Sequence, residues 1–541
     1  MIIPEWERCL INHPDKGLVR YITQGFREGF RVGFDYDNHS CTSAKSNMKS
    51  ATDNEVVIDR YLAKEVRLGR VIGPLDPEGF PGVNINQFGV IPKSHQPGKW
   101  RLIVDLSHPD KASVNDGIDP GLCSLHYTSV DEAVREVVAL GPRAQMAKFD
   151  IESAYRIVPV HPDDRPLLGM AWKGKYYVDT ALPFGLRSAP KIFNTVADTL
   201  LESQGVRCLH YLDDFFLVGR PDSQECAQAL ARALEMCARL GIPIAVHKTE
   251  GPFLRLSFLG IEIDTETGQV RLPGEKLRRL QREIREWQGR RSCTKRELLS
   301  IIGQLQHACC VVKPGRTFLR RMITLSTVVK EMHHRIRLNC GFRSDLQWWA
   351  TFLPSWNGVG TMVGTVQSRV TETMTSDASG TWGCGAFTSP GEWFQLKWPD
   401  SWASIHITVK ELLPIVMGVA IWGSQWQGKA VKCRCDNAAV VAIINSGRSK
   451  DERAMHLMRC LFFFQAHFKI ALWAVHLPGK QNGAADALSR DNQASFLAQV
   501  RSAHPTPSPL PEELVRALVL QQPDWTSRSW TELLRNTLRR V

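Results

Sequence analysis

The spacing of apolar positions changes along the chain, and each change marks an element. From Phe88 to Asp264 short apolar, β-rich runs alternate with helical stretches and clusters of turn residues, the pattern of an α+β domain. After it the period becomes helical. In Glu275–Gln288, Leu277, Leu280, Ile284 and Trp287 fall on one face, while Lys276, Arg278, Arg279, Arg282 and Arg285 fill the remainder. Thr294 with Glu297 predicts a capping box for a next helix carrying Leu298, Ile301, Ile302 and Leu305. A second α/β segment runs from about Met374 to Arg490, and the Pro/Ser-rich stretch His504–Pro511 reads as a linker. The first 70 or so residues give mixed signals. Polar Asp35–Thr52 predicts a loop, and Glu55–Arg70 a short helix ended by Gly73-Pro74. No internal repeat is visible.

A chain of 541 residues is too long for one ordinary core, so two to four domains are expected. The expected class is multidomain α+β and α/β. The boundaries are 1–75 as an N-terminal extension, then 76–266, 267–365 as a basic helical block, 370–492, and 493–541 as a C-terminal linker and tail. With 43% hydrophobic and 23% charged residues, the chain belongs with soluble globular proteins rather than disordered or membrane-spanning ones. Pro4, Glu5, Glu7 and Arg8 interrupt any signal-peptide core, and no apolar run approaches a membrane span. An intracellular location, in cytoplasm or nucleus and away from membranes, is expected. The 14 Cys include no C-x-x-C pair. The close pairs Cys309/Cys310 and Cys433/Cys435 lack partners at zinc-finger spacing, which points to buried free thiols in a reducing compartment.

The net charge is +12, and its distribution matters more than its size. Between Gly268 and Asp345 stand 18 Lys or Arg against 6 Asp or Glu, so this segment alone holds the whole surplus. A local basic surface of this kind suits a polyanion such as nucleic acid better than it suits a plain solvated helical face.

Two sets of carboxylates carry the candidate chemistry. Tyr211-Leu212-Asp213-Asp214 sits between the runs Val206–Leu209 and Phe215–Val218, which places paired aspartates at the tip of a β-hairpin. Adjacent carboxylates repel unless a cation or proton intervenes, and hard divalent cations take such oxygens. Those four residues alone also suit an acidic turn, so their neighbours decide. Lys148-Phe149-Asp150-Ile151-Glu152-Ser153-Ala154-Tyr155 precedes them, with Asp150 ending an apolar strand. Leu182-Pro183-Phe184-Gly185-Leu186-Arg187-Ser188-Ala189-Pro190 lies between, and Gly98-Lys99-Trp100-Arg101-Leu102-Ile103-Val104-Asp105-Leu106 upstream. Gly241–Lys248 and Leu256–Gly260 follow. The second set is Asp377, Glu411, Asp436 and Asp486, in strand, helix, strand-end and helix settings, with His476-Leu477-Pro478-Gly479-Lys480-Gln481-Asn482 before the last.

In this order the first segments resemble the successive motifs of retroelement reverse transcriptases over about Phe88–Asp264. The resemblance implies a right-hand polymerase, with fingers and palm at 76–266 and a thumb and connection in the basic helices of 267–365. It implies that Asp150 and Asp213, assisted by Asp214, hold two Mg2+, with Mn2+ as an alternative. One ion would activate the primer 3′-hydroxyl and the other neutralise the triphosphate. Lys99 and Arg101 would contact the incoming deoxynucleoside triphosphate, and Tyr155 would exclude a ribose 2′-hydroxyl. Gly185 and Tyr211 would line the substrate, with Gly185 allowing close backbone approach. Lys248 would be either a general acid toward pyrophosphate or an ordinary surface lysine. The second set resembles a ribonuclease H over about Met374–Arg490, again with two Mg2+ held by Asp377, Glu411, Asp436 and Asp486. There His476 is either a proton shuttle during product release or a plain strand-end histidine.

The phrasing of Lys148–Val160, with Val104-Asp105-Leu106-Ser107, is most similar to DIRS and Ngaro elements, retrotransposons with a tyrosine recombinase. No protease or integrase motif is present, and Ser527–Val541 resembles the region joining such a polymerase to its recombinase. The implied partners are an RNA template, a DNA primer, an RNA–DNA hybrid and a recombinase encoded nearby. The alternative is a decayed or co-opted copy that only binds nucleic acid.

Overall fold

The computed structural model describes residues 1–520 apart from 81, 93–97, 99, 203–207, 357–359, 362–371, 428 and 469. Two compact units are present, Met1–Leu259 and Gly260–Val541.

In the first unit, β1 (Gln87–Pro92) and β2 (Trp100–Asp105) pair antiparallel, Phe88 opposite Val104 and Val90 opposite Leu102, and these alternating apolar residues face the core. A four-stranded antiparallel sheet follows, from β3 (Gln145–Asp150), β4 (Cys208–Tyr211), β5 (Asp214–Gly219) and β6 (Glu250–Phe253), in the order β4-β5-β3-β6. Phe215, Phe216, Leu217 and Val218 are all buried, which explains the unbroken apolar run of β5. Helices Val130–Leu140 and Glu225–Leu240 pack on that strand.

The N-terminal 75 residues do not form a separate extension. Trp6, Leu10, Ile22, Phe26, Phe30, Ile58 and Leu62 share one hydrophobic core with Phe88, Phe149, Phe193 and Phe215. Polar contacts fix the same segment. Buried Asp164 accepts hydrogen bonds from Arg31 Nε (3.0 Å), the Val32 amide (2.7 Å) and Tyr36 Oη (2.9 Å). Buried Arg156 joins Glu65 (3.1 Å) to Asp179 (2.6 Å). The helices here are short, Ile3–Leu10 and Lys16–Glu28, so each supplies few apolar repeats. Deleting residues 1–75 should therefore unfold the unit. Each large apolar side chain buried here is worth about 1.5–3 kcal/mol, against a total stability of roughly 5–15 kcal/mol. Soluble yield and thermal melting of the shortened chain check this; a cooperative melt at the original temperature would refute it.

In the second unit the two expected basic helices form, Gly274–Gly289 and Lys295–Ala308. The capping box closes in both directions: Thr294 Oγ1 accepts from the Glu297 amide (3.2 Å), and a Glu297 carboxylate oxygen accepts from the Thr294 amide (2.7 Å). A five-stranded mixed sheet comprises β7 (Glu372–Ala378), β8 (Gly383–Thr388), β9 (Trp393–Lys397), β10 (Ala430–Cys435) and β11 (Ala471–His476). The order is β9-β8-β7-β10-β11. The first three strands run antiparallel, and β10 and β11 continue parallel to β7. Helix Ile407–Trp422 packs on β7 and β8 and is buried on nearly every side, as its continuous apolar sequence requires.

The Pro/Ser-rich stretch at 504–511 is no free linker. The Trp393 indole N–H donates to the His504 carbonyl (2.8 Å), the Ser508 amide to the Trp393 carbonyl (2.7 Å), and the Trp422 indole to Ser508 Oγ (3.1 Å). Phe496 buries itself against Trp393 and Leu488. Composition suggested a linker because proline and serine supply no apolar period, yet their free carbonyls and hydroxyls suit indole donors. The tail segment Ser527–Val541 lies outside the described residues. Among the described residues no helix is long and apolar enough to cross a membrane, and none of the 14 cysteines is in a disulfide.

Candidate active sites

The first unit brings Asp150 and Asp214 together by strand register, with Asp213 beside them in the adjoining turn. Asp150, last in β3, lies directly across from Asp214, first in β5. Directly opposed residues of an antiparallel pair share a face, so the two carboxylates face the same way. Asp213 occupies the turn between β4 and β5, and its carbonyl accepts the Ile151 amide at 3.0 Å. Burial, then the neighbouring Asp150 charge, raises the Asp213 carboxyl above the ordinary range and Asp214 to about 6. Two carboxylates that burial and a third neighbouring acid keep from ionising freely are a donor set suited to a hard cation. Lys248, Lys148 and Arg101 supply the counter-charges. Lys248 Nζ sits 2.9 Å from Asp150, so this lysine touches the carboxylate set instead of standing free on the surface.

Tyr155 and Arg101 lie within electrostatic reach of Asp213. Tyr155 is half-buried, with its ring 5.3 Å from Phe184 and 5.7 Å from Phe193. The Arg101 guanidinium lies 5.9 Å from the Phe184 ring. Tyr211 is partly exposed beside Tyr127, with ring centroids 5.2 Å apart. Lys99 lies outside the described residues. Gly185 has φ +101°, and a Cβ there would stand 2.7 Å from the Val104 carbonyl oxygen. Backbone cannot yield as a side chain could. Gly185→Ala should therefore cost about 1–3 kcal/mol of stability and lower any nucleotide-dependent activity at least roughly tenfold. Thermal melting and nucleotide incorporation measure both; unchanged values would show the loop to be free.

Sequence reasoning missed the residues that hold this loop. Asn115 Nδ2 donates to the Gly185 carbonyl (2.9 Å), its Oδ1 accepts the Arg187 amide (2.8 Å), and Arg187 reaches back to the Ile118 carbonyl (2.8 Å). Arg187 stood in the quoted Leu182–Pro190 string, but Asn115 gave no local signal.

In the second unit Asp377 on β7, Glu411 on helix Ile407–Trp422 and Asp436 just after β10 converge. One carboxylate oxygen from each lies within 4.8 Å of the others. Asn482 Nδ2 (2.9 Å) and Ser489 Oγ (2.6 Å) donate to the two oxygens of Asp377. Neither was singled out from sequence, although both stand in the strings around Asp486. Glu411 is buried, and its Oε2 has no hydrogen-bond partner among the described residues. An orphaned buried carboxylate oxygen aimed at two other acids fits a divalent cation. Asp486 stands at the rim, outside this tight group, where its half-exposed carboxylate pairs with Arg490 at 2.7 Å. His476 is exposed, with Nε2 3.1 Å from the Asp436 carbonyl.

Burial, then the charges of Asp377 and Asp436, pushes the Glu411 carboxyl up to about 9. A carboxyl raised above its unfolded value stabilises the fold below that value and loses the contribution as pH rises through the folded pKa. With chelator present, stability should therefore fall between pH 5 and 9, by up to about 1.4 kcal/mol per pH unit for one proton. Saturating Mg2+, which replaces the proton, should flatten the fall, and Glu411→Gln should remove most of it. Thermal melts across this range are the check; a chelated protein equally stable at pH 6 and 8.5 would contradict it.

Comparison with known proteins fits this geometry. Residues 91–263 match the family model described as reverse transcriptase (RNA-dependent DNA polymerase). The chain is 30% identical over 217 residues to the enzymatic polyprotein of Cestrum yellow leaf curling virus, covering 40% of this chain and 31% of that protein. It is 28% identical over 170 residues to the enzymatic polyprotein of cauliflower mosaic virus (strain D/H), covering 31% of this chain and 24% of that protein. The match thus spans a third or less of these relatives. Among solved structures, the foamy viral protease-reverse transcriptase in complex with double-stranded DNA superposes with a TM-score of 0.51 at 15% identity, over 88% of this chain and 82% of that one. The same foamy viral protein in complex with RNA/DNA hybrid gives a TM-score of 0.50 at 15% identity, over 89% and 64%. At such identity the likeness concerns the fold alone. The chain carries a reverse transcriptase domain over residues 91–263, and it shares a mixed α/β multidomain fold with the foamy viral protein.

Proposed function

We propose that the chain is an RNA-directed DNA polymerase with ribonuclease H activity, encoded by a retrotransposon of the DIRS/Ngaro type. The observation that carries the polymerase half is the register of Asp150 against Asp214, with Asp213 in the adjoining turn, inside the segment that matches the reverse transcriptase family. The Asp377–Glu411–Asp436 cluster supports the nuclease half. In this reading 76–266 are fingers and palm, 267–365 thumb and connection, and 370–492 the ribonuclease H. Asp150, Asp213 and Asp214 would hold Mg2+ in the palm, and Asp377, Glu411, Asp436 and Asp486 in the nuclease. Bound there, Mg2+ supplies Lewis acidity to the attacking and leaving oxygens of phosphoryl transfer.

The chain's own residues do the rest. Arg101 and Lys99 bind the triphosphate oxygens with charge-assisted hydrogen bonds. The Tyr155 ring, propped by Phe184 and Phe193, excludes a ribose 2′-hydroxyl. Gly185 lets backbone approach the substrate, Tyr211 borders it, and Lys248 can pass a proton to pyrophosphate from beside Asp150. In the nuclease, Asn482 and Ser489 orient Asp377, and His476 carries a proton as product leaves.

Primer extension on an RNA template, with deoxynucleotides and Mg2+ or Mn2+, tests the polymerase reading; no extension with either ion overturns it. A labelled RNA–DNA hybrid tests the nuclease in the same way. The element type predicts a tyrosine recombinase reading frame beside this one, and a retroviral-type integrase there instead would refute it.

A further inference from the structure

The turn that carries Asp213 is held by a row of side chains to which neither activity assigns a role. Leu212 has φ +54°, a left-handed conformation that L residues adopt only when held there. Something must hold it. His210, on β4, is 8% exposed and stacks on Phe215 at 5.3 Å and 19°. Its Nδ1 lies 3.2 Å from the Leu212 carbonyl oxygen and its Nε2 2.7 Å from Asp198 Oδ1. Both partners are oxygen acceptors toward which a ring N–H can donate. The second oxygen of Asp198 accepts from Asn194 Nδ2 at 2.7 Å. Asn194 and Asp198 belong to helix Ala189–Glu202, which also presses Phe193 against Tyr155.

The peptide group before Asp213 is thus pinned through the Leu212 carbonyl, and the one after it through the Ile151 amide. We propose that His210, oriented by Asp198, is a positioning residue that fixes the backbone on which the Asp213 carboxylate is mounted. This rests on the polymerase reading for its kinetic consequence but not for its structural one. A carboxylate whose backbone can rock by an ångström loses alignment with the reacting phosphate, while nucleotide and hybrid still bind.

The experiment is single-turnover nucleotide incorporation by the full chain, with hydrogen exchange of peptides covering 208–216 measured in parallel. His210→Ala should slow the maximal rate on the order of 10²-fold and leave nucleotide and hybrid dissociation constants within about threefold. Asp198→Ala should do the same to a lesser degree. Asp198 is half-exposed, so this variant folds even where His210→Ala does not. Asp198→Asn, which retains an acceptor for the ring, should recover much of the rate. The double variant should be no slower than His210→Ala, because both act through one row of contacts. The amides of 208–216 should exchange faster in both alanine variants. A near-wild-type rate, or a rate loss matched by equally weakened hybrid binding, would overturn the proposal. Unchanged exchange at 208–216 would overturn it whatever the kinetics. If the wild-type chain extends no primer, the polymerase reading fails, and the exchange rates alone decide whether the brace exists.

Discussion

Asp213→Asn should abolish Mg2+-dependent primer extension, by ~10³-fold or more, equivalent to about 4 kcal/mol of transition-state stabilisation. The substitution removes a charge and almost no volume. The turn stays in place, because the contact that fixes it runs from the Ile151 amide to the Asp213 backbone carbonyl. Stability should hold or rise, since burial and the nearby Asp150 already disfavour the ionised carboxylate. A protein that melts at the same or a higher temperature while losing extension is the signature of an acid retained for chemistry at some cost in stability. Single-nucleotide incorporation and calorimetry read the two sides. Extension within tenfold of wild type would displace Asp213 from the site.

Asp377→Asn should have the complementary effect: cleavage of an RNA–DNA hybrid is lost by ~10³-fold, while extension is spared. The surroundings can accept an amide. Ser489 Oγ, which donates to Asp377 at 2.6 Å, also lies 3.0 Å from the Asp486 carbonyl. Its proton can turn there while the oxygen accepts from the new amide N–H, and Asn482 keeps its acceptor. The fold therefore has no reason to suffer, and any lost cleavage reports on charge. Loss of extension together with cleavage would mean that the two activities cannot be separated by residue.

Much of this organisation was legible in the sequence because it is local. Paired aspartates between two apolar runs can hardly be anything but a hairpin tip. A Thr-x-x-Glu before an apolar period announces its own helix start, and four acids in strand, helix, strand-end and helix settings stand out in their local strings. What escaped notice was non-local or polar. Trp6, Ile22 and Phe30 read as scattered apolar residues in short segments, and only the folded unit shows that they line the same core as Phe149. Asn115 acts 70 residues away on Gly185, through hydrogen bonds that have no periodicity. Asp486 was legible as a member of its motif, yet its half-exposed place beside Arg490 depended on geometry that spacing cannot supply. The Ser508 contacts were hidden for a related reason: a Pro/Ser-rich string looks the same whether it is solvated or docked.

That docking has a consequence for dissecting the molecule. Strand β9 borders its sheet, and the Trp393 carbonyl on it is satisfied by the Ser508 amide. A fragment of the second unit cut at Arg490, where the last motif ends, would lose Phe496, His504 and Ser508 together. It would present an unpaired β-edge flanked by bare indole rings, the kind of surface on which chains join edge to edge and aggregate. The smallest well-behaved fragment should therefore extend past Pro511, well beyond the last acid.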